Sequence, residues 1–339
     1  MPEISVVTPV YNSAPYLRET IQSVLDQSFS DFEFILVDDG STDNSVEIIL
    51  SFNDSRIILL RNAQNSGIVT TRNVAISAAR GKYIAVLDSD DIAMPTRFEV
   101  QRAILESDNS VGLVASWVDI IDENSVRTGA KTRREFQNLE WNVSLLFYNA
   151  FTHSSVMVRQ TAFSQPAYAL ALPLCEDYLF ISNLARKWKL VVIPEMLTKY
   201  RIHRTNISRM KRDLIYDCEL QIKAIALEHA YVKCSNEELK LHQKLQSDTL
   251  DLSRDDFLNT LLWLTSLVQQ LNSNNPAFSS ALIPRVLDGV LWEFCQRGSV
   301  FGFIAVKLYV VNCKRLGLQL KFARVLKLIA KVIVQGIFK

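Results

Sequence analysis

Two acidic clusters carry most of the chemistry legible in this chain. Asp38-Asp39-Gly40-Ser41-Thr42-Asp43 follows one short apolar run, and Asp88-Ser89-Asp90-Asp91 follows another. Either cluster alone reads as turn and helix-cap chemistry, because Asp, Ser and Thr side chains accept from backbone N–H groups and Met94-Pro95 can open a helix. Together they bring six carboxylates toward one place, and like charges so gathered repel unless a cation or a set of donors compensates them. Mg²⁺ and Mn²⁺ suit such oxygens and are usually held by one or two carboxylates completed by substrate phosphates. The two clusters together therefore point to a nucleotide-diphosphate site. A third acidic pair, Glu176-Asp177, opens a helical pattern over Asp177–Lys187. A carboxylate there either favours the helix N-terminus or acts as a general base toward a hydroxyl.

The elements that must position these residues alternate along the first 120 positions. Ile4–Thr8, Phe32–Val37, Ile57–Leu60, Tyr83–Leu87 and Val111–Val118 are apolar runs of strand length. Leu17, Ile21, Val24 and Leu25 fall at helical spacing between the first two, and Val46, Ile49 and Leu50 do so after the second. Ser41 and Thr42 are candidate caps for that second helix, and Gly81 ends a third. Strands buried on both faces and separated by helices predict an α/β, Rossmann-like, mostly parallel sheet. Ligands of such sheets bind outside the carboxyl ends of the strands, which is where both acidic clusters lie. From about Thr205 strand-like runs give way to long helical patterns, with an Asn/Ser-rich break near Leu271–Ser279.

Composition limits the alternatives. A length of 339 residues suggests two domains. A content of 48% hydrophobic and 22% charged residues is that of a folded globular protein rather than a disordered one. Five cysteines, odd in number and in no C-x-x-C pair, argue against a zinc module or disulfide framework and fit a reducing compartment. The net charge of +1 hides an asymmetry: nine basic and no acidic residues lie from Phe294 to Lys339, leaving the first 293 residues at −8. The N-terminus has no basic start before an apolar core, and no run of about 18 apolar residues predicts a spanning helix.

Five motifs in order carry a resemblance. Thr8-Pro9-Val10-Tyr11-Asn12, Val37–Asp43, Asn65-x-Gly67 with Arg72-Asn73, Asp88-Ser89-Asp90-Asp91 and Glu176-Asp177 resemble glycosyltransferase family 2 over about residues 3–205. The resemblance implies a GT-A fold, placed over residues 1–210, and the helical patterns that follow read as an all-helical region, 211–297. It implies that Pro9 and Tyr11 line a base pocket, that Asp39 hydrogen-bonds the base and that Asp88 approaches the ribose. Asp90 would ligate Mn²⁺ or Mg²⁺ on the diphosphate, and Asp177 would be the general base of an inverting transfer. Arg72 would lie beside the nucleotide, with a helix-surface ion pair as its other reading. His203, in Tyr200-Arg201-Ile202-His203, would meet the diphosphate or the metal, or else sit exposed at a domain edge. His153 receives no role. The chain departs from the family pattern at Val69-Thr70-Thr71, at Gln165–Leu170 and at Leu179, all on the acceptor side.

The tail, residues 298–339, adds a second feature. Lys314, Lys321, Arg324, Lys327 and Lys331 form a cationic stripe, with Leu318, Phe322, Val325, Ile329, Val332 and Ile333 opposite. A helix of that kind suits an interface with anionic lipid, and aromatic residues are too scarce among the cations for a nucleic-acid surface. The expected protein is a metal-dependent transferase moving a sugar from a nucleotide-sugar donor, UDP-linked, to a glycan or lipid-linked acceptor. It would be cytoplasmic and peripheral on the inner face of the plasma membrane. A non-catalytic nucleotide-binding module of the same fold is the alternative. A nucleotidyltransferase ranks below both, because Thr8–Asn12 stands where its glycine-rich phosphate loop would be.

Overall fold

The computed structural model describes residues 1–132, 140–164, 166–246, 252–274 and 282–337. The chain divides into two compact units, Met1–Asn138 with Ala150–Cys218, and Leu139–Asn149 with Glu219–Lys339. In the first unit β1 (Ile4–Val10), α1 (Ala14–Leu25), β2 (Phe32–Asp38), α2 (Ser45–Leu50), β3 (Ile57–Arg61), α3 (Ile68–Ala78) and β4 (Tyr83–Val86) alternate. β1 and β2 are buried along their whole length, which is why their sequences are mainly apolar. α1 lays Leu17, Ile21 and Val24 on the sheet and carries proline in its first turn, where a missing N–H costs no bond. Pro9 is accommodated inside β1 for a related reason. Alternate residues of β1 face alternate neighbours, and Pro9 faces the β4 side beyond the last pair, Val7↔Val86.

The remaining strands turn the sheet from parallel to mixed. β5 (Ile92–Ala93), α4 (Arg97–Ser107), β6 (Val111–Ile121) and β7 (Arg127–Thr132) precede α5 (Glu140–Ser144), which belongs to the second unit. β8 (Met157–Arg159), α6 (Glu176–Leu184), β9 (Lys189–Arg201) and α7 (Ile207–Met210) complete the first unit with the start of α8 (Arg212–His229). The strand order is β3-β2-β1-β4-β8-β6-β9-β5, with β7 on β6. Among the described residues four pairings are parallel and four antiparallel, so the sheet is mixed where the pattern predicts a mostly parallel one. The antiparallel strands β5 and β8, of two and three residues, are too short to leave a periodic signal. β9 tolerates Pro194 because the β6–β9 register slips between Ser116↔Ile193 and Trp117↔Met196, a bulge that frees the position from the ladder.

The second unit is helical. It comprises α5, most of α8, α9 (Asn236–Lys244), α10 (Arg254–Asn274), α11 (Leu282–Arg297), α12 (Phe303–Arg315) and α13 (Phe322–Ile337). α10 runs to Asn274, and the rest of the expected Asn/Ser-rich break lies outside the described residues. Ser235 and Glu238 start α9 with a capping box. Phe257 packs between the rings of Phe294 and Phe301.

Buried beside α5, His242 is held in one tautomer. Its Nδ1 accepts from Trp263 Nε1 at 3.2 Å, so its Nε2–H donates to Leu146 O at 2.8 Å. Burial, with the Lys223 charge nearby, pushes the imidazole down to about 3 against the hydrogen bond to Leu146. A histidine depressed in the folded state contributes stability above its unfolded pKa of about 6.5, and that stability drains as pH falls toward the folded value. Between the two values the expected loss approaches about 1.4 kcal/mol per pH unit. Melting of His242→Gln, followed by circular dichroism from pH 7 to 5, should therefore fall less steeply than wild type; parallel slopes contradict the assignment.

Candidate active site

The first acidic cluster is a knot of backbone acceptors. Asp39 follows β2 and is almost fully buried. Its Oδ1 accepts from Ser66 N at 2.8 Å and Asn62 Nδ2 at 2.7 Å, and its Oδ2 from Gly67 N at 2.9 Å. One carboxylate thus fixes the Asn65-x-Gly67 loop, with lone-pair capacity left on Oδ2. Ser41 and Thr42 do not cap α2, contrary to the sequence reading. Ser41 Oγ accepts from Asn12 N, and Thr42 N donates to Asn12 Oδ1, so both tie β2's loop to that of β1. Asp43 instead accepts from Ala14 N and Ser45 N, while Asn44 occupies the N-cap without a side-chain bond. Pro9 is buried in β1 and Tyr11 stands 47% exposed just beyond it.

The second cluster separates by depth. Asp88 follows β4, where its backbone N–H donates to Ser154 Oγ and its Oδ1 accepts from Arg72 Nη2 at 2.5 Å. Arg72 is buried on α3 and its Nη1 also pairs with Glu176, the first residue of α6. It is an interior bridge between β4 and α6, which replaces the helix-surface reading. Burial works to raise Asp88, yet the Arg72 guanidinium holds it below the usual carboxylate range. Asp177, next on α6, moves the other way. Burial pushes its carboxyl up, Arg72 opposes the shift and Asp88 adds to it. The structure thus brings Arg72, Asp88, Glu176 and Asp177 together. His153 lies in the same wall, where its Nε2 meets Tyr168 OH at 2.8 Å and burial pushes it down to about 3. Tyr168 is anchored by Asn73, which bonds both its N–H and its carbonyl at 2.9 Å.

Asp90 and His203 meet through strand pairing. β9 runs parallel to β6, and both run antiparallel to β8, as β4 does, so β9 ends on the rim where β1, β2 and β4 end. β5 then pairs antiparallel to β9 with Ile92 opposite Lys199, which draws Asp90 alongside the residues after Tyr200. His203 Nε2 lies 2.8 Å from Asp90 Oδ2, its Nδ1 bonds Thr205 Oγ1 at 2.8 Å, and its ring packs on Tyr16. His203 is buried here, which sets aside its reading as an exposed edge residue. Among the described residues no group of three or more acids, histidines or cysteines could hold a metal. Asp90 is nevertheless the kind of oxygen donor that Mg²⁺ or Mn²⁺ takes with diphosphate oxygens completing the shell, whereas the His203 imidazole is a softer donor than either ion prefers.

Arg201 and Asn206 are site residues that the sequence did not single out. Arg201 is fully buried: its Nε donates to Asp90 O at 2.7 Å, its Nη2 to Glu19 at 2.5 Å and its Nη1 to Ser125 Oγ at 2.8 Å. Its backbone N–H reaches Asp91, whose carboxyl is pushed well up by burial and by Asp90 and Asp88. Asn206 accepts from His203 N and donates toward Asp90. Arg201 lay inside a quoted motif, so its presence was visible, but its role depends on partners as distant as Glu19. Asp177–Lys187, expected as one helix, is shorter: α6 ends at Leu184.

Gly40 provides a test of how tightly the rim is built. It sits at φ +73°, and a Cβ there would lie 2.9 Å from Asn65 N. Gly129 has φ +80° but open space around the same position. Gly40→Ala should cost about 1–3 kcal/mol, several degrees of melting temperature, and Gly129→Ala distinctly less. Equal losses in calorimetry would mean that the close approach to Asn65 carries no energy.

Comparison with known proteins bears on the family and the fold. The model of the family described as glycosyl transferase family 2 matches residues 5–165. An uncharacterized glycosyltransferase of Methanocaldococcus jannaschii is 37% identical over 222 residues, 63% of this chain and 77% of that protein. The Escherichia coli UDP-Glc:alpha-D-GlcNAc-diphosphoundecaprenol beta-1,3-glucosyltransferase WfgD is 37% identical over 123 residues, 36% of this chain and 48% of WfgD. Among solved structures, S. aureus TarS in complex with UDP-GlcNAc superposes with a TM-score of 0.55 at 16% identity, covering 94% of this chain and 93% of that one. That likeness shows the fold of the first unit to be GT-A-like. By its sequence relatives, its motifs and its fold, the chain belongs to glycosyltransferase family 2.

Proposed function

We propose that this glycosyltransferase moves a sugar from a UDP-sugar to a hydroxyl of a glycan or lipid-linked acceptor, with inversion and with Asp177 as general base. The observation that carries the reading is the charge arrangement on one rim. Asp88 is held ionised by Arg72, while Asp177 beside them is pushed toward a more basic carboxylate. A sugar hydroxyl is a poor nucleophile near neutral pH, and a carboxylate with a raised pKa takes its proton better than an ordinary one. Pro9, Tyr11 and Asp39 are assigned to the nucleobase, Asp88 to the ribose, and Arg72 to the wall between nucleotide and acceptor. A divalent cation held by Asp90 and His203 would neutralise the charge of the departing diphosphate. TarS, solved in complex with UDP-GlcNAc, supports the donor class, and WfgD, named for a diphosphoundecaprenol acceptor, supports a lipid-linked one.

The test has two parts. In thermal shift, UDP at about 100 times its dissociation constant should add roughly 2.7 kcal/mol to wild type in the presence of Mn²⁺. Asp90→Ala and His203→Ala should each lose the part of that shift that depends on metal. Asp177→Asn should retain it while losing about 10²- to 10⁴-fold in transfer rate. Because the base works only when deprotonated, kcat/KM should fall as pH drops through the raised Asp177 value, a limb above the ordinary carboxylate range. Nucleotide binding with no transfer to any acceptor would make the protein a binding module, and binding indifferent to Asp90 and His203 would sink the metal assignment.

A further inference from the structure

The last helix of the chain has two apolar faces, and only one is used. In α13, Leu328 and Val332 are buried in the helical unit. On the same side Arg324 bonds Asp288 at 2.7 Å, Lys321 bonds it at 2.6 Å, and Lys331 reaches Gln296 O. Three of the five lysines and arginines in the expected cationic stripe thus hold α13 to α11. Among the described residues nothing covers the other face. Phe322 is 72% exposed, Leu326 51% and Ile333 46%. At 3.6 residues per turn these three positions fall within about 40° of one another, roughly 120° round the helix from Leu328 and Val332. The sequence pattern placed Val332 and Ile333 on one stripe, and packing assigns them to different ones.

The chain around this face carries charge of one sign. Between residues 298 and 339 every charged residue is basic. Lys327 lies exposed beside the uncovered face, and Lys307, Lys314 and Arg315 are exposed on α12. Val310, Val311, Leu318 and Leu320 line a depression edged by Lys314 and Arg315, and Leu320 stands two positions before Phe322 in the chain. A helix that only meets water normally mixes acids with its bases. Large apolar side chains rimmed only by cations are complementary to a surface that is apolar inside and anionic at its boundary. Among the described residues no helix is long and apolar enough to cross a membrane.

We infer that the uncovered face of α13 docks on an anionic lipid bilayer, with Phe322, Leu326 and Ile333 at the acyl boundary and Lys314, Arg315 and Lys327 at lipid phosphates. The inference stands on this surface alone and is independent of the transferase chemistry assigned to the first unit. It makes the contact peripheral, lying along the interface.

Co-sedimentation of the full chain tests it, using phosphatidylcholine vesicles with and without phosphatidylglycerol. Wild type should bind the vesicles with phosphatidylglycerol, weakly or not at all the neutral ones. Phe322→Ser combined with Leu326→Ser should weaken binding about tenfold or more, since each removes an apolar side chain that docking would sink into the acyl boundary. Lys314→Gln, Arg315→Gln and Lys327→Gln together should weaken it by at least as much and flatten its salt dependence. Both sets change exposed positions, so melting should match wild type, and the comparison is made only among variants for which it does; single substitutions replace any set that melts lower. Equal binding to neutral vesicles, or wild-type binding in both sets, overturns the inference. So does a dimer in light scattering that is lost with Phe322→Ser while vesicles are ignored, which would give the face to a second copy.

Discussion

Negative charge gathered on one rim of a sheet is the constraint on which the rest of the first unit depends. Six carboxylates stand at the ends of β2 and β4, and another pair opens α6. Such crowding is tolerable only if each carboxylate has donors or a cation near it, because repulsion grows as water is excluded. The fold meets the requirement by depth. Asp39 and Asp43 spend their oxygens on backbone N–H groups, and Asp91 accepts from the backbone of Arg201. Asp88 and Asp90 remain partly open to solvent, with side-chain exposures of 27% and 22%. Those two are partly open to a ligand, and Asp39 keeps lone-pair capacity on Oδ2 for one as well.

Two buried guanidiniums do most of the compensation, and each works because its fork spans separate elements. Arg72 joins Asp88 after β4 to Glu176 at the start of α6, and its charge reaches Asp177. Arg201 joins the carbonyl of Asp90 to Glu19 on α1 and to the hairpin at Ser125. A lysine offers a single point of charge and could satisfy neither set of directions at once. The consequence is a division of labour between neighbours in sequence. Glu176, the more buried of the pair, anchors the helix on Arg72, while Asp177 beside it is pushed up by burial and by Asp88. Asp91 fixes the strand edge, which leaves Asp90 facing His203.

The helical unit solves a different problem with the same residue types. Lys321 and Arg324 on Asp288 secure α13 without covering its second apolar face. His242, neutral between Trp263 and a carbonyl of the α5 segment, shows the opposite choice: a polar group wholly enclosed and fully bonded. One part of the unit is therefore closed to water, and another presents apolar side chains to it.

Much of the site was legible from the residues alone. Runs such as Ile4–Thr8 and Phe32–Val37 are mainly apolar because they are buried on both faces, and composition reports that directly, with Ser5 and Glu33 bonded to each other as polar exceptions. The acidic clusters, Arg72 and the Glu176-Asp177 pair were visible as types and spacings, since local chemistry is written in local sequence. What they bond to was not. The two- and three-residue strands β5 and β8 carry no periodic signal, yet the pairing of β5 with β9 is what brings His203 to Asp90 across 113 positions. Ser41 and Thr42 have good capping side chains, but the approach of the β1 loop gave them Asn12 instead. The faces of α13 were ambiguous because an amphipathic pattern says that apolar residues share a side, not which of them meets protein. Sequence determined which groups are present and which segments must be buried; only the tertiary structure decided their partners, because partner choice depends on distances between residues far apart in the chain.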